Sequence, residues 1–297
     1  MSRSKNIFNP LKKNLCVHYL LPVYCSLELW FQKDRIEFLI THISLVLNPG
    51  QRELEVWNTL RSGRENFYRA LDTRIEFEFG VGKNLQTAFY INSKSIAEEH
   101  SHVHDDGIAE VEIETEFEWS FSNEWKYKLS DPVANAIGSA LYAEITAAPT
   151  ELELEFKVLL DKKVGKTLHA LNLVAENEWE SEVETEVLSS GNITQELEQE
   201  SEFKFEFDYG FSYNINTNWN FGFEVVNRNK VEEGEWNASV LYAGPGFSYV
   251  RGPIWVNFSV MPQVTGLIFP DEVGYSSGLL LDGYEKLETR LLFSYAF

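Results

Sequence analysis

Tyr-Glu-Lys-Leu-Glu-Thr-Arg-Leu-Leu-Phe-Ser-Tyr-Ala-Phe, residues 284–297, carries the clearest structural signal in this chain. Its residues alternate between two faces, the first of which carries Leu287, Thr289, Leu291, Phe293, Tyr295 and Phe297. The second face carries Lys286, Glu288, Arg290, Leu292, Ser294 and Ala296. A period of two is the pattern of a strand with one apolar side. An aromatic face on a terminal strand would promote aggregation in a soluble sheet, whereas in a closed barrel within a bilayer it would contact lipid. The pattern therefore predicts a strand of a transmembrane β-barrel.

Phe293, Tyr295 and Phe297 resemble the terminal strand of bacterial outer-membrane β-barrels, in which a final Phe with aromatic residues at alternate positions is the assembly signal. The resemblance implies that the barrel-assembly machinery recognises these residues and that the protein lies in the outer membrane of a Gram-negative bacterium. It implies little about what the barrel does.

The same alternation recurs throughout residues 51–297, most clearly between residues 110 and 121. The apolar side of that segment consists of Val111, Ile113, Thr115, Phe117, Trp119 and Phe121, and glutamates fill almost all of the other side. A helix would scatter these apolar residues around its axis, whereas a strand places them on one face. Counting such segments predicts an all-β fold, a single antiparallel transmembrane β-barrel of about 12 strands, with 10 strands as the alternative.

A soluble β-sandwich, or a lipocalin-like barrel with an apolar interior, is the competing interpretation of this alternation. Sandwich strands average about five or six residues. Several strands here run for roughly twelve residues or more, which is enough to cross a bilayer at a tilt. Trp and Tyr residues near the strand ends also suggest the aromatic belt of a membrane interface. These features favour lipid on the outside of the barrel.

Length and charge limit the possible partners. The chain has 297 residues and a formal net charge of -21, so one barrel or two soluble domains would fit its length. The acidity argues against a nucleic-acid partner, because phosphates are bound by Lys and Arg. We expect outer-membrane lipid, the barrel-assembly machinery and a small-molecule or ion solute as partners. Cys16 and Cys25 are the two cysteines, which leaves the main body without a disulfide framework or a cysteine-based metal site.

Residues 1–50 do not share the alternating pattern. They begin with basic residues and continue with an apolar stretch from Leu15 to Trp30, but a small-residue cleavage site is not recognisable. We interpret residues 1–50 as an atypical leader, a mis-assigned start or a disordered N-terminal segment outside the barrel, with an ordered part of the fold as the alternative. Residues 51–297 form the predicted transmembrane β-barrel.

Several segments resemble uncharacterised bacterial outer-membrane barrels of the transporter type, some of which are labelled as linked to phenol degradation. These segments are residues 124–131, 151–162, 170–173 with Glu176 and Glu178, and 244–249. The resemblance spans most of residues 51–297. It implies the fold and the location, suggests a pore or transport role, and offers no catalytic residues.

The charged faces of the predicted strands would line the barrel lumen. The predicted lumen-lining carboxylates are Glu76, Glu78, Glu112, Glu114, Glu116, Glu153, Glu155, Glu198, Glu200 and Glu202. Their predicted counter-charges are Arg74, Lys157, Lys204 and Arg290. Because unpaired buried charges are costly, such a lumen must be hydrated or partly extend above the membrane. The pattern fits a cation-favouring pore, and it equally fits a solvated wall of cross-strand ion pairs.

His100, His102 and His104 would project from one side of an extended segment. Imidazole binds Zn, Cu or Ni, so these residues are a candidate metal site, although short His-rich tracts are weak signals.

Catalysis has little support in the sequence. A Gly-x-Ser-x-Gly elbow is absent, and His169, near a predicted turn, fits a structural role. We therefore predict a non-enzymatic protein without a cofactor: a passive pore or small-solute transporter with an acidic lumen. A structural or adhesive barrel that acts through its acidic loops is the alternative.

Overall fold

The computed structural model describes residues 41–103, 109–187, 193–232, 234–268 and 276–297. These residues form thirteen β-strands. The strands are β1 (Arg52–Ser62), β2 (Tyr68–Gly80), β3 (Leu85–Val103), β4 (Ala109–Ser130), β5 (Gly138–Ala147), β6 (Glu151–Val164), β7 (Thr167–Val187), β8 (Ile193–Asn214), β9 (Trp219–Glu232), β10 (Glu235–Arg251), β11 (Ile254–Ile268), β12 (Ser276–Gly278) and β13 (Leu287–Ala296). Within the described part of the chain, no helix has the length and apolarity needed to cross a membrane.

Twelve of these strands close into one antiparallel barrel. Each strand from β1 to β11 pairs with the next, and β13 pairs with both β11 and β1. At the closing pair, Glu53 lies opposite Ala296 and Ser62 lies opposite Leu287. The remaining strand, β12, adds three residues to β11. The predicted twelve-stranded all-β barrel is confirmed, and the ten-strand alternative is wrong.

Successive side chains alternate between the outside and the interior of the barrel. On β2, Ile75 and Phe77 are exposed, whereas Glu76 and Glu78 are 3% and 5% exposed. The same alternation covers the outer surface with apolar side chains and fills the interior mainly with polar ones. A sandwich or a lipocalin-like barrel would hide its apolar side chains inside, so this polarity excludes both soluble alternatives.

Aromatic side chains mark both rims of the apolar surface. We define the inner end by the short turns between β2 and β3, β4 and β5, β6 and β7, β8 and β9, and β10 and β11. Exposed aromatic residues of the outward face near this end are Tyr127, Tyr213, Trp219 and Tyr295. Trp219 also packs against Tyr249 in a tilted arrangement, with 4.6 Å between ring centroids. Trp119, Trp179 and Trp236 are exposed nearer the outer end. Two aromatic rims are typical of barrels that meet a bilayer interface on both sides.

Two hairpins, β3–β4 and β7–β8, extend past the rest of the wall at the outer end. Their strands have 19 to 22 residues, compared with 10 residues in β5. Residues 111–119 of β4 are exposed on both faces, including Phe117, which is 67% exposed. A strand needs about 9–11 residues to cross a bilayer, so these hairpins project well beyond it.

Residues 41–48 run inside the barrel rather than along its wall. Gly50 donates a backbone hydrogen bond to Gly80 at the inner end, and Thr41, Ser44 and Leu47 are buried among interior side chains. The sequence pattern predicts that residues 1–50 lie outside the barrel. Residues 1–40 are not among the described residues. Residues 41–48 differ from the prediction, because they occupy the interior. The segment lies there because its backbone N–H groups donate hydrogen bonds to polar side chains of the inner wall.

Candidate functional site

The lumen is the candidate functional site, because the polar side chains of twelve strands converge there. Cross-strand pairing places interior residues side by side in tiers around the wall. One tier runs through Glu53, Glu78, Ala88, Glu124, Glu144 and Glu155. The next tier runs through Glu55, Glu76, Tyr90, Ser122, Thr146 and Glu153. Neighbouring carboxylates of this density repel one another unless cations or protons offset them.

Most of the predicted counter-charges lie in the lumen and are engaged there. Arg74 contacts Glu144, with 2.5 Å between Nη2 and Oε1, and its guanidinium lies over the Tyr90 ring. Lys157 Nζ lies 2.9 Å from Glu155 Oε1. The lumen residues named above on β2 and β6, together with Glu76 and Glu78, therefore lie on the same interior surface of the barrel.

Lys204 is the centre of a second charged group in the outer half of the lumen. Its Nζ lies 3.0 Å from Glu176 Oε1, 2.6 Å from Glu178 Oε2 and 3.4 Å from Glu202 Oε1. Lys230 Nζ is 2.6 Å from the other oxygen of Glu202. This part of the wall carries the cross-strand Glu–Lys pairs that the sequence pattern also allows.

A third group of charges is built around Glu288, which lies between Arg61 and Arg228. Arg61 Nη1 is 3.3 Å from Glu288 Oε1, and both Arg228 terminal nitrogens bond the same carboxylate. Arg290, a predicted counter-charge, donates instead to the Thr59 hydroxyl at 2.8 Å. The β13 side of the lumen is therefore richer in arginine than the sequence pattern suggested.

Some predicted lumen residues lie on the projecting hairpins. Glu112, Glu114, Glu116 and Glu200 are exposed, and Glu153, by contrast, is partly buried in the wall interior. The side chain of Glu198 is not among the described features. Whether the hairpin glutamates border the path of a solute stays a prediction.

His100 is the one member of the predicted histidine metal site whose side chain the structure describes. His100 Nε2 lies 3.2 Å from Glu98 Oε1 and 4.0 Å from Glu114 Oε2. His102 belongs to β3, but its side chain is not described, and His104 lies outside the described residues. Metal binding by this set stays a prediction.

Residues 41–48 cross the inner half of the lumen and bond several strands. The Thr41 amide donates to Glu224 Oε2 on β9 at 2.9 Å, and the Leu47 amide donates to Gln86 Oε1 on β3 at 2.8 Å. Between them, the amide and the hydroxyl of Ser44 both donate to the Asp161 carboxylate, each at 2.7 Å.

His42 connects the segment to β7 and β5. The Asn172 amide, oriented so that both of its ends are satisfied, bonds the His42 backbone N–H and carbonyl at 2.7 and 2.9 Å. The imidazole packs on Tyr142, with 5.5 Å between ring centroids. Contacts to β3, β5, β6, β7 and β9 show that residues 41–48 fill space in the lumen rather than following one strand.

The segment before β13 narrows the lumen from the outer end. Leu280 and Tyr284 pack against an interior apolar cluster that includes Tyr242 and Met261. Gln263 holds this segment through its amide, which donates to the Leu280 carbonyl at 2.9 Å. Burial raises the pKa of the Tyr284 phenol, as expected for a side chain withdrawn from water.

Sequence reasoning missed several buried charged residues of the lumen: Glu53, Glu55, Glu124, Lys126 and Glu144. The signal was available for Glu124, because it continues the period of two that runs through Glu112, Glu114 and Glu116. The contacts of residues 41–48 had no comparable signal, because that segment is not an alternating strand.

Comparisons with known proteins agree with this fold. A family model described as "Family of unknown function (DUF6662)" matches residues 32–297. A comparison with curated proteins found no significant match. The β-domain of the Bordetella autotransporter BrkA is a solved structure with a TM-score of 0.54 at 6% identity, over 84% of this chain and 100% of that one. An outer-membrane channel from Pseudomonas putida F1 has a TM-score of 0.50 at 10% identity, over 86% of this chain and 98% of that one. At these identities the likeness concerns the fold alone, which is that of a bacterial outer-membrane β-barrel.

Proposed function

The chain belongs to the DUF6662 family, whose function is unknown, and we propose from its geometry that it is a passive pore for small solutes or ions in the outer membrane of a Gram-negative bacterium. The observation that carries this proposal is the polarity of the closed wall, which is apolar outside and densely charged inside. A barrel of this kind needs water or ions in its interior, because desolvating so many carboxylates would cost several kcal/mol for each unpaired charge.

We propose that the lumen favours cations. Glu153 and Glu155 on β6 and Glu76 and Glu78 on β2 face the interior, and rings of carboxylates select for cations in known pores. The arginines around Glu288 would oppose this preference on the β13 side, so we expect moderate rather than strict selectivity.

Residues 41–48 would then act as a constriction of the pore. They are held by one or two side-chain hydrogen bonds to each of several strands instead of by a continuous strand pairing. Each such bond contributes only about 0.5–1.5 kcal/mol, or about 1.5–3 kcal/mol when its partner is charged. A segment held in this way can be displaced without unfolding the wall.

Planar-bilayer recording of the purified, folded protein tests the pore proposal. We expect discrete conductance steps and, in a KCl gradient, a reversal potential of the sign that indicates cation preference. Folding must be verified on the same sample by heat-modifiable gel migration. A sample that is folded by this criterion and shows no conductance would rule out the pore.

The alternative is a barrel that does not transport and acts through its outer surface. The observation in its favour is the pair of projecting hairpins, whose exposed glutamates and apolar residues could bind another surface. Adhesion of cells that express the intact protein, lost when residues 98–114 are replaced by a tight turn and accompanied by no conductance, would support this alternative.

A further inference from the structure

Five of the buried glutamates in the inner half of the lumen form a group on three strands. Glu53 and Glu55 come from β1, Glu76 and Glu78 from β2, and Glu124 from β4. Oxygens of Glu53, Glu55 and Glu78 lie within 4.8 Å of one another, and so do oxygens of Glu76, Glu78 and Glu124. The two triads share Glu78, so all five carboxylates belong to one group, which we call the inner carboxylate cluster.

The backbone explains why carboxylates from β2 and β4 can meet across β3. The residue between Glu78 and Glu124 in the tier is Ala88, which is fully buried and has a side chain too short to separate them. The next interior residue of β3, Tyr90, reaches the same place with its hydroxyl. Ala88 leaves space for the cluster, and Tyr90 lies beside it.

One phenol lies between two carboxylates of the cluster. The Tyr90 hydroxyl is 2.7 Å from Glu76 Oε1 and also makes a short contact with Glu124 Oε2. A phenol has one proton and can donate it to only one of two carboxylates.

Glu124 provides an independent indication that something is bound here. Its side chain is 1% exposed, and its Oε1 atom is buried without a hydrogen-bond partner. Lys126 Nζ is 3.9 Å from this oxygen, beyond hydrogen-bond distance. Buried carboxylate oxygens normally accept a hydrogen bond, and one that accepts none within a cluster of carboxylates is suited to bind a cation.

We propose that the inner carboxylate cluster binds a divalent cation, with Ca²⁺ as the preferred ion. Oxygen is its only donor type, which suits Ca²⁺ or Mg²⁺ and not the metals that prefer nitrogen or sulfur. Ca²⁺ takes about six to eight oxygen ligands and accepts several carboxylates, whereas Mg²⁺ keeps most of its waters and is bound by about one or two carboxylates. A site built from two triads of carboxylates, each with its oxygens within 4.8 Å of one another, therefore favours Ca²⁺.

Residues 41–48 close the site on the inner side. Gln86 donates to Glu78 Oε1 at 2.7 Å and accepts from the Leu47 amide at 2.8 Å. The bound ion would therefore stabilise the β1–β4 side of the wall and the segment that fills the lumen together. The site does not require the barrel to conduct, so its test is separate from the bilayer experiment.

Terbium luminescence tests the proposal on the full chain, folded in detergent and stripped with a chelator. Tb³⁺ is a Ca²⁺ substitute whose emission is sensitised by nearby aromatic residues. Trp57 Nε1 lies 3.1 Å from Glu76 Oε2, and Tyr90 is adjacent. We expect saturable emission with one ion per barrel, reversed by Ca²⁺ at lower concentration than by Mg²⁺. Calorimetric titration with CaCl₂ alone should give the same stoichiometry.

The variants Glu124→Gln and Glu78→Gln should each weaken Tb³⁺ and Ca²⁺ binding at least tenfold. The matched control is Glu65→Gln with Glu118→Gln, which removes two exposed carboxylates and should leave binding unchanged. Trp57→Phe should lower the emission without changing the calorimetric affinity for Ca²⁺.

Three results would overturn the proposal. The first is a wild-type protein that binds neither ion, which is decisive even if the variants fail to fold. The second is equal loss of binding in the control, which would indicate adventitious surface binding. The third is a folded Glu124→Gln protein that melts at a higher temperature than wild type while added Ca²⁺ changes neither melting temperature, which would mean that the cluster holds protons.

Discussion

The side chain of Phe297 lies exposed at the inner rim of the barrel. It is 65% exposed, and its ring packs on Tyr295 with 5.2 Å between centroids. Its amide donates to the Arg52 carbonyl at 3.0 Å, so the backbone joins β1 to β13 whatever the side chain is. The ring itself is therefore available to a partner from outside the barrel.

We propose that the Phe297 ring belongs to a signal that the assembly machinery reads, and we predict on that basis that Phe297→Ala lowers the amount of folded barrel in outer-membrane fractions several-fold. Refolding of the purified variant in detergent should be unchanged. Heat-modifiable migration measures the folded fraction in both settings. Phe258→Ala, which removes another exposed outward-facing ring, is the control, and an equal loss in both variants would contradict an assembly role.

Gly138 shows how closely residues 41–48 approach the wall. A Cβ atom at this position would overlap Asp161 Oδ1 and lie 2.7 Å from Ser44 Oγ. These two residues form the bidentate contact that anchors the segment. Only glycine leaves space for that contact at this point.

We predict that Gly138→Ala lowers the free energy of unfolding by about 1–3 kcal/mol, because an added methyl group in a tight site forces its neighbours apart. Urea unfolding in detergent, followed by tryptophan fluorescence, measures the change. Gly82→Ala is the matched control, since its Cβ would make only an ordinary 3.8 Å contact with Leu85. A Gly138 variant as stable as the control would show that the segment is not tightly held.

The strands were the part of the structure that local sequence could predict. Their alternation is set by neighbouring residues, and a period of two assigns each side chain to one face. The same rule cannot tell where the membrane ends along a strand. Glu112 and Glu124 have the same parity on β4, yet Glu112 is exposed on the projecting hairpin and Glu124 is buried in the lumen.

The position of residues 41–48 could not be predicted for a different reason. The segment is held by contacts between distant parts of the chain, such as the bond from Thr41 to Glu224, which are 183 residues apart. Such bonds use backbone N–H groups, which every residue but proline has, so the residue types leave no signature. Part of the inner carboxylate cluster was not predicted, because the register in which β1, β2 and β4 lie relative to one another decides which carboxylates meet.

Strand β6 offers a direct test of charge selection. We predict that Glu153→Gln with Glu155→Gln lowers the ratio of K⁺ to Cl⁻ permeability at least twofold, because Lys157 then remains as an unpaired cation on that wall. Reversal potentials in a KCl gradient measure the ratio. Glu65→Gln, on an exposed turn, should leave it unchanged, and an unaltered ratio in the β6 variant would argue against an acidic filter.

The barrel wall and residues 41–48 inside it are held in place by different kinds of hydrogen bonding. Continuous ladders of backbone hydrogen bonds join the twelve strands, whereas residues 41–48 are attached through scattered contacts to several of them. The wall should therefore survive changes that release the segment. The width of the lumen can therefore change without a change in the stability of the barrel.

We predict that deleting residues 41–48 raises the single-channel conductance while the barrel still shows heat-modifiable migration. The volume of the segment would be replaced by water and ions in the inner half of the lumen. Planar-bilayer recording of the deletion variant beside the wild type measures the change. Identical conductances would mean that the segment does not narrow the conducting path.

The connection between residues 41–48 and β1 has a further consequence for the order of events during biogenesis. Only Pro49, Gly50 and Gln51 separate the segment from the strand that forms the seam with β13. The seam joins residues as far apart as Glu53 and Ala296, and contacts of such high contact order tend to form late. We therefore expect residues 41–48 to enter the barrel together with β1, so that the β1–β13 seam closes and the lumen is filled in a single step.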